Sequence, residues 1–387
     1  MANKVKLSKS SIGIMANKIK LSKSSIGIEE REAVLQVLEN EYLGMGSDVK
    51  LFEDEIKAFL KTEKSVICVN TGTAALHLAL QAIGIKTGDE VLVPSLTYIA
   101  SFQAVSATGA KPIACDVNEN TLFIDINDTE KRIRSHTKAV MPVHYASNSA
   151  GIDEVYKLAN KYNLRVIEDA AHAFGCKRGE KYTGVDGDII CFSFDGIKNI
   201  TSGEGGVIVT SDKKIINYVK DARLLGVKKD TDKRYSGERS WDFDVNQQGW
   251  RYHMSNIMAA IGREQLKKID KFKIKRQKIA KRYLDGLKAL RYIDFLDLDY
   301  YNIMLHIFVI KVTNGKRDAL RNHLLSHNIE CGIHYKPNHL LTKYKTLYSL
   351  SISEKVYNEI LSLPCHVDLT ENDQTKVIQI IKDFFDE

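Results

Sequence analysis

Seven short apolar runs between residues 65 and 210 constrain this chain more than any other feature. They are SVICV (65–69), EVLVP (90–94), KPIACDV (111–117), KAVMPVH (138–144), RVIEDA (165–170), DIICFSF (188–194) and GGVIVT (205–210). None alternates apolar with polar residues as a half-solvated strand would. The first five are separated by helical patterns such as TAALHLALQAIG and GIDEVYKLANKYN. Strands that are apolar throughout and alternate with helices belong to a sheet covered on both faces. The last two runs are joined only by a short turn holding one lysine, Lys198, and several glycines. So short a link leaves no room for a confident helical crossover, and the seventh strand is predicted to run antiparallel. The expected fold class is therefore α/β, with a seven-stranded, mostly parallel sheet ending near residue 210.

Around this sheet the texture changes twice. A helix over Glu29 to Asn40, a break at YLGMGS and an amphipathic helix over Asp48 to Thr62 precede it. A long helical pattern over Ser255 to about Leu290 follows, and MLHIFVIKV, GKRDALRNHLLSHN, IECGIHY and two later helical stretches then read as a smaller α+β domain. The division expected is a large domain over 15–254, a long linking helix over 255–290 and a small domain over 291–387. Residues 1–14 (MANKVKLSKSSIGI) duplicate residues 15–28 except for Val5 against Ile19. A pair that does not continue is no solenoid, so the first copy reads as a duplicated or appended extension outside the fold.

Composition excludes several classes. The six cysteines are scattered without a CxxC pair, as expected of reduced core thiols in a cytoplasmic protein. No apolar run is long enough to span a membrane, no secretory leader is seen, and no His/Cys/Glu cluster has metal-ligand spacing. The net charge is +7, much of it in REQLKKIDKFKIKRQKIAKR (263–282). That stretch carries an apolar stripe through Leu266, Ile269, Phe272 and Ile279 and reads as a solvated helix face. A nucleic-acid arm is the alternative, but no aromatic residues interleave with its charges for base stacking.

In an open α/β sheet, ligands bind at the carboxyl ends of the strands. After SVICV, the residues Thr71, Gly72 and Thr73 open a helix, whose free amides and dipole favour a phosphate. EVLVP leads to Tyr98, a flat ring at the same edge. RVIEDA ends in Glu168 and Asp169, with His172 three residues beyond Asp169; a carboxylate there is costly unless paired, and a pyridinium nitrogen would suit it. DIICFSF brings Ser193 and then Lys198. Each has a bland reading alone, as a capped helix, a core tyrosine or a hairpin lysine. Together a phosphate cradle, a flat ring, a carboxylate and an isolated amine are what pyridoxal phosphate requires.

The stretches NTGTAALHLAL, GDEVLVPSLTYIAS, VIEDAAHAFG, CFSFDGIKNITSGEGG, WRYHMSNIMAAIG, GIHYKPNH and LPCHVDLT resemble the DegT/DnrJ/EryC1/StrS sugar aminotransferases in the same order. The resemblance runs from Lys18 to about Thr370. It implies the aspartate aminotransferase-like fold (fold type I), pyridoxal phosphate cycling with its pyridoxamine form, L-glutamate as amino donor and a nucleotide-linked keto sugar as acceptor. It implies Lys198 as the Schiff-base lysine, Asp169 as partner of the ring nitrogen and Tyr98 as the stacking aromatic. His172 would meet the phenolic oxygen, and Ser193, Gly72 and Thr73 the phosphate. His339 and Tyr335, both in HYKPNH, would lie on the substrate side. Many members read GYNYRM where this chain reads GWRYHM, so Arg251 stands where an asparagine usually reaches a neighbouring subunit's phosphate. A homodimer with sites at its interface is implied. The favoured acceptor is a dTDP-linked keto-6-deoxyhexose for cell-surface glycan of lipopolysaccharide type, with the ketone at C3 or C4 left open. A sugar dehydratase of the same fold would carry histidine in place of Lys198.

Overall fold

The computed structural model describes residues 18–386; the first copy of the duplicated segment, residues 1–14, lies outside them. Helices α1 (Ile28–Glu39) and α2 (Ser47–Leu60) lead into β1 (Ser65–Val69), α3 (Gly72–Ala82), β2 (Glu90–Pro94), α4 (Ile99–Ala107) and β3 (Lys111–Cys115). Then come α5 (Ile126–Lys131), β4 (Thr137–Val140), α6 (Ile152–Tyr162), β5 (Arg165–Asp169), a small hairpin of β6 (Lys177–Arg178) and β7 (Lys181–Tyr182), β8 (Ile189–Ser193) and β9 (Gly206–Thr210). The main sheet has seven strands in the order β1-β9-β8-β5-β4-β2-β3. Only β9 runs against its neighbours, pairing antiparallel with both β1 and β8, while β5–β8, β4–β5, β2–β4 and β2–β3 are parallel.

The absence of alternation in these runs has a direct cause. Ile189 and Cys191 pack into a core on one face of the sheet, and Ile190 and Phe192 into a core on the other. Both faces are dry, so every position of β8 and β9 is apolar or tightly packed. Helix α3 lies in one of these layers, with every residue from Ala74 to Leu80 buried, which is why its sequence is apolar all round.

Beyond the sheet lie α7 (Lys213–Ala222), α8 (Asp230–Tyr235), α9 (Asn256–Lys267) and α10 (Ile269–Leu287). The single helix expected over 255–290 is thus two, parted at Lys268. Lys268 keeps nearly helical angles (φ −97°, ψ −2°), so the apolar phase passes through the break, and Leu266, Ile269, Phe272 and Ile279 are all buried. Some charges of this segment are engaged within the fold, while Lys267, Lys271, Lys275, Lys278 and Lys281 stand exposed on a solvated face. Lys268 Nζ reaches the buried Glu30 carboxylate at 2.6 Å, and Arg276 is buried against the carbonyls of Leu305, His306 and Cys365.

The remainder holds β10 (Ile293–Phe295), β11 (Phe308–Val312), α11 (Arg317–Ser326), α12 (Ser351–Glu359), β12 (Ile360–Leu363) and α13 (Glu371–Asp386), with β10, β11 and β12 forming a three-stranded antiparallel sheet. The N-terminal stretch is pinned here: Ile19 forms a parallel bridge to Ile329, and Lys23 pairs with Asp368 at 2.8 Å.

Candidate active site

The carboxyl ends of β1, β2, β5 and β8 open on one cavity of about 580 Å³. Of the ten residues given a cofactor or substrate role from sequence, eight line it: Gly72, Thr73, Tyr98, Asp169, His172, Ser193, Lys198 and Tyr335. Each is delivered by its element. Thr71 caps α3 by accepting the Ala74 amide at 3.0 Å, and the amides of Gly72 and Thr73, in the first turn, have no acceptor within the helix. The space between α3 and the end of β8 is tight: a Cβ on Gly72 would stand 2.8 Å from Ser193 Cβ.

Asp169 ends β5 and is buried. Its Oδ2 accepts the Ser101 hydroxyl at 2.7 Å and its Oδ1 the Ala171 amide at 3.2 Å. It makes no ion pair among the described residues, and burial raises its pKa against the opposing pull of these bonds and of Lys198. Lys198 follows β8 in a turn closed by its own amide to Asp195 O at 3.0 Å. Burial lowers its pKa from the ordinary lysine value, while Asp169 and Asp195 pull it back up. The amine is thus eased toward its neutral, nucleophilic form.

Beside them lies His172, its Nε2 3.1 Å from Tyr335 Oη and its Nδ1 buried without a protein partner. Burial, and then the nearby Lys198, hold its pKa well below the ordinary value, so the ring is neutral. Tyr98, at the start of α4 and 57% exposed, sets its ring 5.6 Å from that of Tyr335 at the cavity mouth.

Two expected residues lie elsewhere. His339 is buried behind the cavity, its Nδ1 2.7 Å from Ser95 Oγ and its Nε2 3.1 Å from Glu354 Oε1. With both ring nitrogens engaged, it is not among the residues that line the cavity. The turn after Pro337 is responsible, for it carries Asn338 and His339 under the end of β2, where Asn338 bonds the carbonyls of Ser95 and Thr97. Arg251 is exposed and off the cavity wall, its backbone bridged to Leu224 and its carbonyl accepting from Asn70.

Sequence reading missed other wall residues. His334 lines the cavity, anchored by Nδ1 to Ser362 Oγ at 2.8 Å, with a pKa lowered to about 4 by burial and by Lys198. Asp195 and Glu204 also line it, and burial raises the Glu204 carboxyl. The signal for His334 was present, since HYKPNH holds two histidines and only the second was taken.

The geometry suits a flat, phosphorylated, nitrogen-bearing carbonyl compound. Gly72 leaves a cradle that a methyl group would fill, the Asp169 carboxylate faces the cavity with no cation bonded to it, and Lys198 presents a desolvated amine. The chain belongs to the DegT/DnrJ/EryC1/StrS aminotransferase family, whose profile matches residues 24–382. It is 33% identical to the spore coat polysaccharide biosynthesis protein SpsC of Bacillus subtilis, over 92% of this chain and 94% of that one. The structure is similar to Helicobacter pylori PseC, an aminotransferase involved in pseudoaminic acid biosynthesis (TM-score 0.88, 26% identity, covering 96% of this chain and all of that one). It is also similar to Spr1654 of Streptococcus pneumoniae in its PMP form (TM-score 0.88, 26% identity, 96% and 98% covered). Among the described residues no helix is long and apolar enough to cross a membrane.

Proposed function

We propose that this protein is a pyridoxal-phosphate-dependent aminotransferase that moves an amino group from L-glutamate to the ketone of a nucleotide-linked keto sugar. The observation that carries the reading is the placement of Lys198 and Asp169 on one cavity wall beside the N-terminus of α3. When bound, the cofactor supplies a carbonyl that takes up and releases the amino group, and a ring that draws off electron density. The first-turn amides of α3, with Ser193, hold the phosphate. Asp169 keeps a proton on the ring nitrogen, because an anionic carboxylate in a dry site favours the charged form of its neighbour. Lys198 would hold the aldehyde of that cofactor, and its desolvated amine would be placed to move the proton at the sugar carbon. Neutral His172 would meet the phenolic oxygen, Tyr98 would cover the ring, and Tyr335, bonded to His172, would face the sugar.

The acceptor favoured is a dTDP-linked keto-6-deoxyhexose made for a cell-surface glycan, in line with relatives named for spore coat polysaccharide and pseudoaminic acid synthesis. Arg251 lies off its own subunit's cavity, which supports a homodimer in which it reaches the partner's phosphate. The 263–282 segment keeps an exposed lysine face but packs its apolar stripe, Leu266, Ile269, Phe272 and Ile279, into the core, as an ordinary solvated helix does. The test is direct. Purified protein loaded with pyridoxal phosphate should absorb in the visible, and L-glutamate should bleach it. A screen of dTDP-3-keto and dTDP-4-keto sugars with product analysis then identifies the acceptor. A protein that takes up no cofactor, or whose colour glutamate leaves unchanged, refutes the assignment.

A further inference from the structure

Behind the cavity wall two hydroxyls, those of Thr97 and Ser101, lead to Asp169. Ser101, on α4, is fully buried, and its single proton has three acceptors in reach: Asp169 Oδ2 at 2.7 Å, Thr97 Oγ1 at 3.1 Å and Tyr98 O at 3.4 Å. The short bond to a carboxylate takes the proton, since charge-assisted bonds are about twice as strong as neutral ones. Thr97 must then donate to Ser101, so the chain is polarised in one direction, Thr97 to Ser101 to Asp169. The loop bearing Thr97 is itself held from the small domain. Asn338 Nδ2 donates to Thr97 O at 2.8 Å and to Ser95 O at 3.0 Å, and His339 bonds Ser95 Oγ at 2.7 Å. No polar side chain other than Ser101 bonds the Asp169 carboxylate among the described residues.

We propose that Ser101 is the positioning residue of Asp169: donation from Ser101, backed by Thr97 and by the Asn338–His339 anchor, holds the carboxylate in one orientation and in its anionic form for the ring nitrogen of pyridoxal phosphate. This rests on the function proposed above. Asp169 needs such a donor because burial outweighs the Ala171 amide, Lys198 and His144, which also favour its charge. The titratable groups that face it are Lys198, His144, Cys191 and Tyr335, and burial still pushes its carboxyl up. The Ser101 bond acts in the opposite sense. Removing it moves the carboxyl further up, so that Asp169 draws the proton away from the ring nitrogen rather than sharing it.

The experiment compares wild type, Ser101→Ala, Ser101→Thr and Thr97→Val as holoenzymes carrying cofactor labelled with ¹⁵N in the ring. In Ser101→Ala the ¹⁵N signal should move toward its unprotonated position at neutral pH, and kcat should fall about tenfold, as expected for loss of one hydrogen bond to a charged group. The acid limb of cofactor affinity should move to higher pH, while the melting temperature changes little. Ser101→Thr, which keeps the hydroxyl, should restore the ¹⁵N position, and Thr97→Val should fall between. A Ser101→Ala enzyme with the wild-type ¹⁵N position overturns the proposal, whatever its rate, because lost packing would slow the enzyme without moving that signal. Failure of Ser101→Thr to restore the signal in a folded protein overturns it too. A wild-type protein that takes up no cofactor is a different outcome, since it removes the function reading on which this one stands.

Discussion

Replacing Gly72 by alanine tests the phosphate cradle with the least chemical change. The new Cβ would stand 2.8 Å from Ser193 Cβ and 3.1 Å from Ser193 Oγ. Carbon atoms in contact rest at about 3.5–4.0 Å, so the two elements must part by roughly 0.7–1.2 Å. Ser193 has little freedom to yield. It ends β8, pairs with Gly206 of β9, and is followed by Phe194, whose amide bonds Gly205 O at 2.8 Å. The first turn of α3 must therefore move, carrying the amides of Gly72 and Thr73 with it. A displacement of that size breaks one or two charge-assisted bonds to a phosphate, each worth about 1.5–3 kcal/mol. The dissociation constant for pyridoxal phosphate should rise at least about tenfold if one bond is lost, and by about a hundredfold or more if two are. The rest of α3 keeps its packing, so the overpacking cost of about 1–3 kcal/mol lowers the melting temperature by only a few degrees in a chain this long.

The assay is titration of the cofactor-free protein, followed by the visible absorption that forms on binding, with pyridoxal lacking the phosphate as a parallel ligand. Affinity for pyridoxal should change little. A second comparison uses Ser193→Gly, which loses the hydroxyl and the crowding atom together. Adding Gly72→Ala to it should cost much less than adding it to wild type. Equal losses for pyridoxal phosphate and pyridoxal in Gly72→Ala, or no loss in either, would refute the reasoning.

Lys198→Ala should abolish turnover while circular dichroism and melting remain those of wild type, because a turn lysine contributes little packing; measurable transamination by the purified variant removes Lys198 from the chemistry. Asp169→Asn should lower kcat by several orders of magnitude with a modest loss of cofactor affinity, and near wild-type turnover would make Asp169 a structural carboxylate. Arg251→Ala should weaken cofactor retention roughly tenfold or more, as expected for one charge-assisted contact of about 1.5–3 kcal/mol. Mixed with Lys198→Ala subunits at limiting cofactor, it should recover part of the activity, because one site of each heterodimer is then intact. No recovery despite demonstrated subunit exchange would place Arg251 on its own subunit's site.

What the sequence made legible follows a physical boundary. The strands and the residues at their ends were readable because a buried strand must be apolar and a parallel strand must deliver its next residues to one edge of the sheet. Asp169, Ser193 and Lys198 are placed by their own strands, so local pattern sufficed. HYKPNH follows no such rule. Which of its histidines reaches the cavity depends on how a segment of the small domain crosses over the large one. Asn338 fixes that by bonding Ser95 and Thr97, 241 to 243 residues away in sequence. The break at Lys268 was hidden for a related reason: an apolar stripe that keeps its phase through a single kinked residue looks like one helix. The partner of Lys268, Glu30, lies 238 residues distant.

The glycines that close the lysine turn show why strand order matters as much as strand content. SGEGG reads locally as a flexible turn, and flexibility would explain any glycine in it. In the fold, β9 inserts between β8 and β1, although β1 precedes it in sequence by well over a hundred residues. That insertion sets Gly206 against the chain leaving β1, where a Cβ would stand 2.3 Å from Thr71 O and 2.8 Å from the Gly72 amide. Backbone cannot give way as a side chain can, so any larger residue at 206 would displace the segment that opens α3. Gly72 and Gly206 thus crowd the same point from opposite sides, one facing Ser193 and the other facing Thr71. The single antiparallel strand of the sheet is what brings them together, and the phosphate cradle is built where β1, β8 and β9 meet.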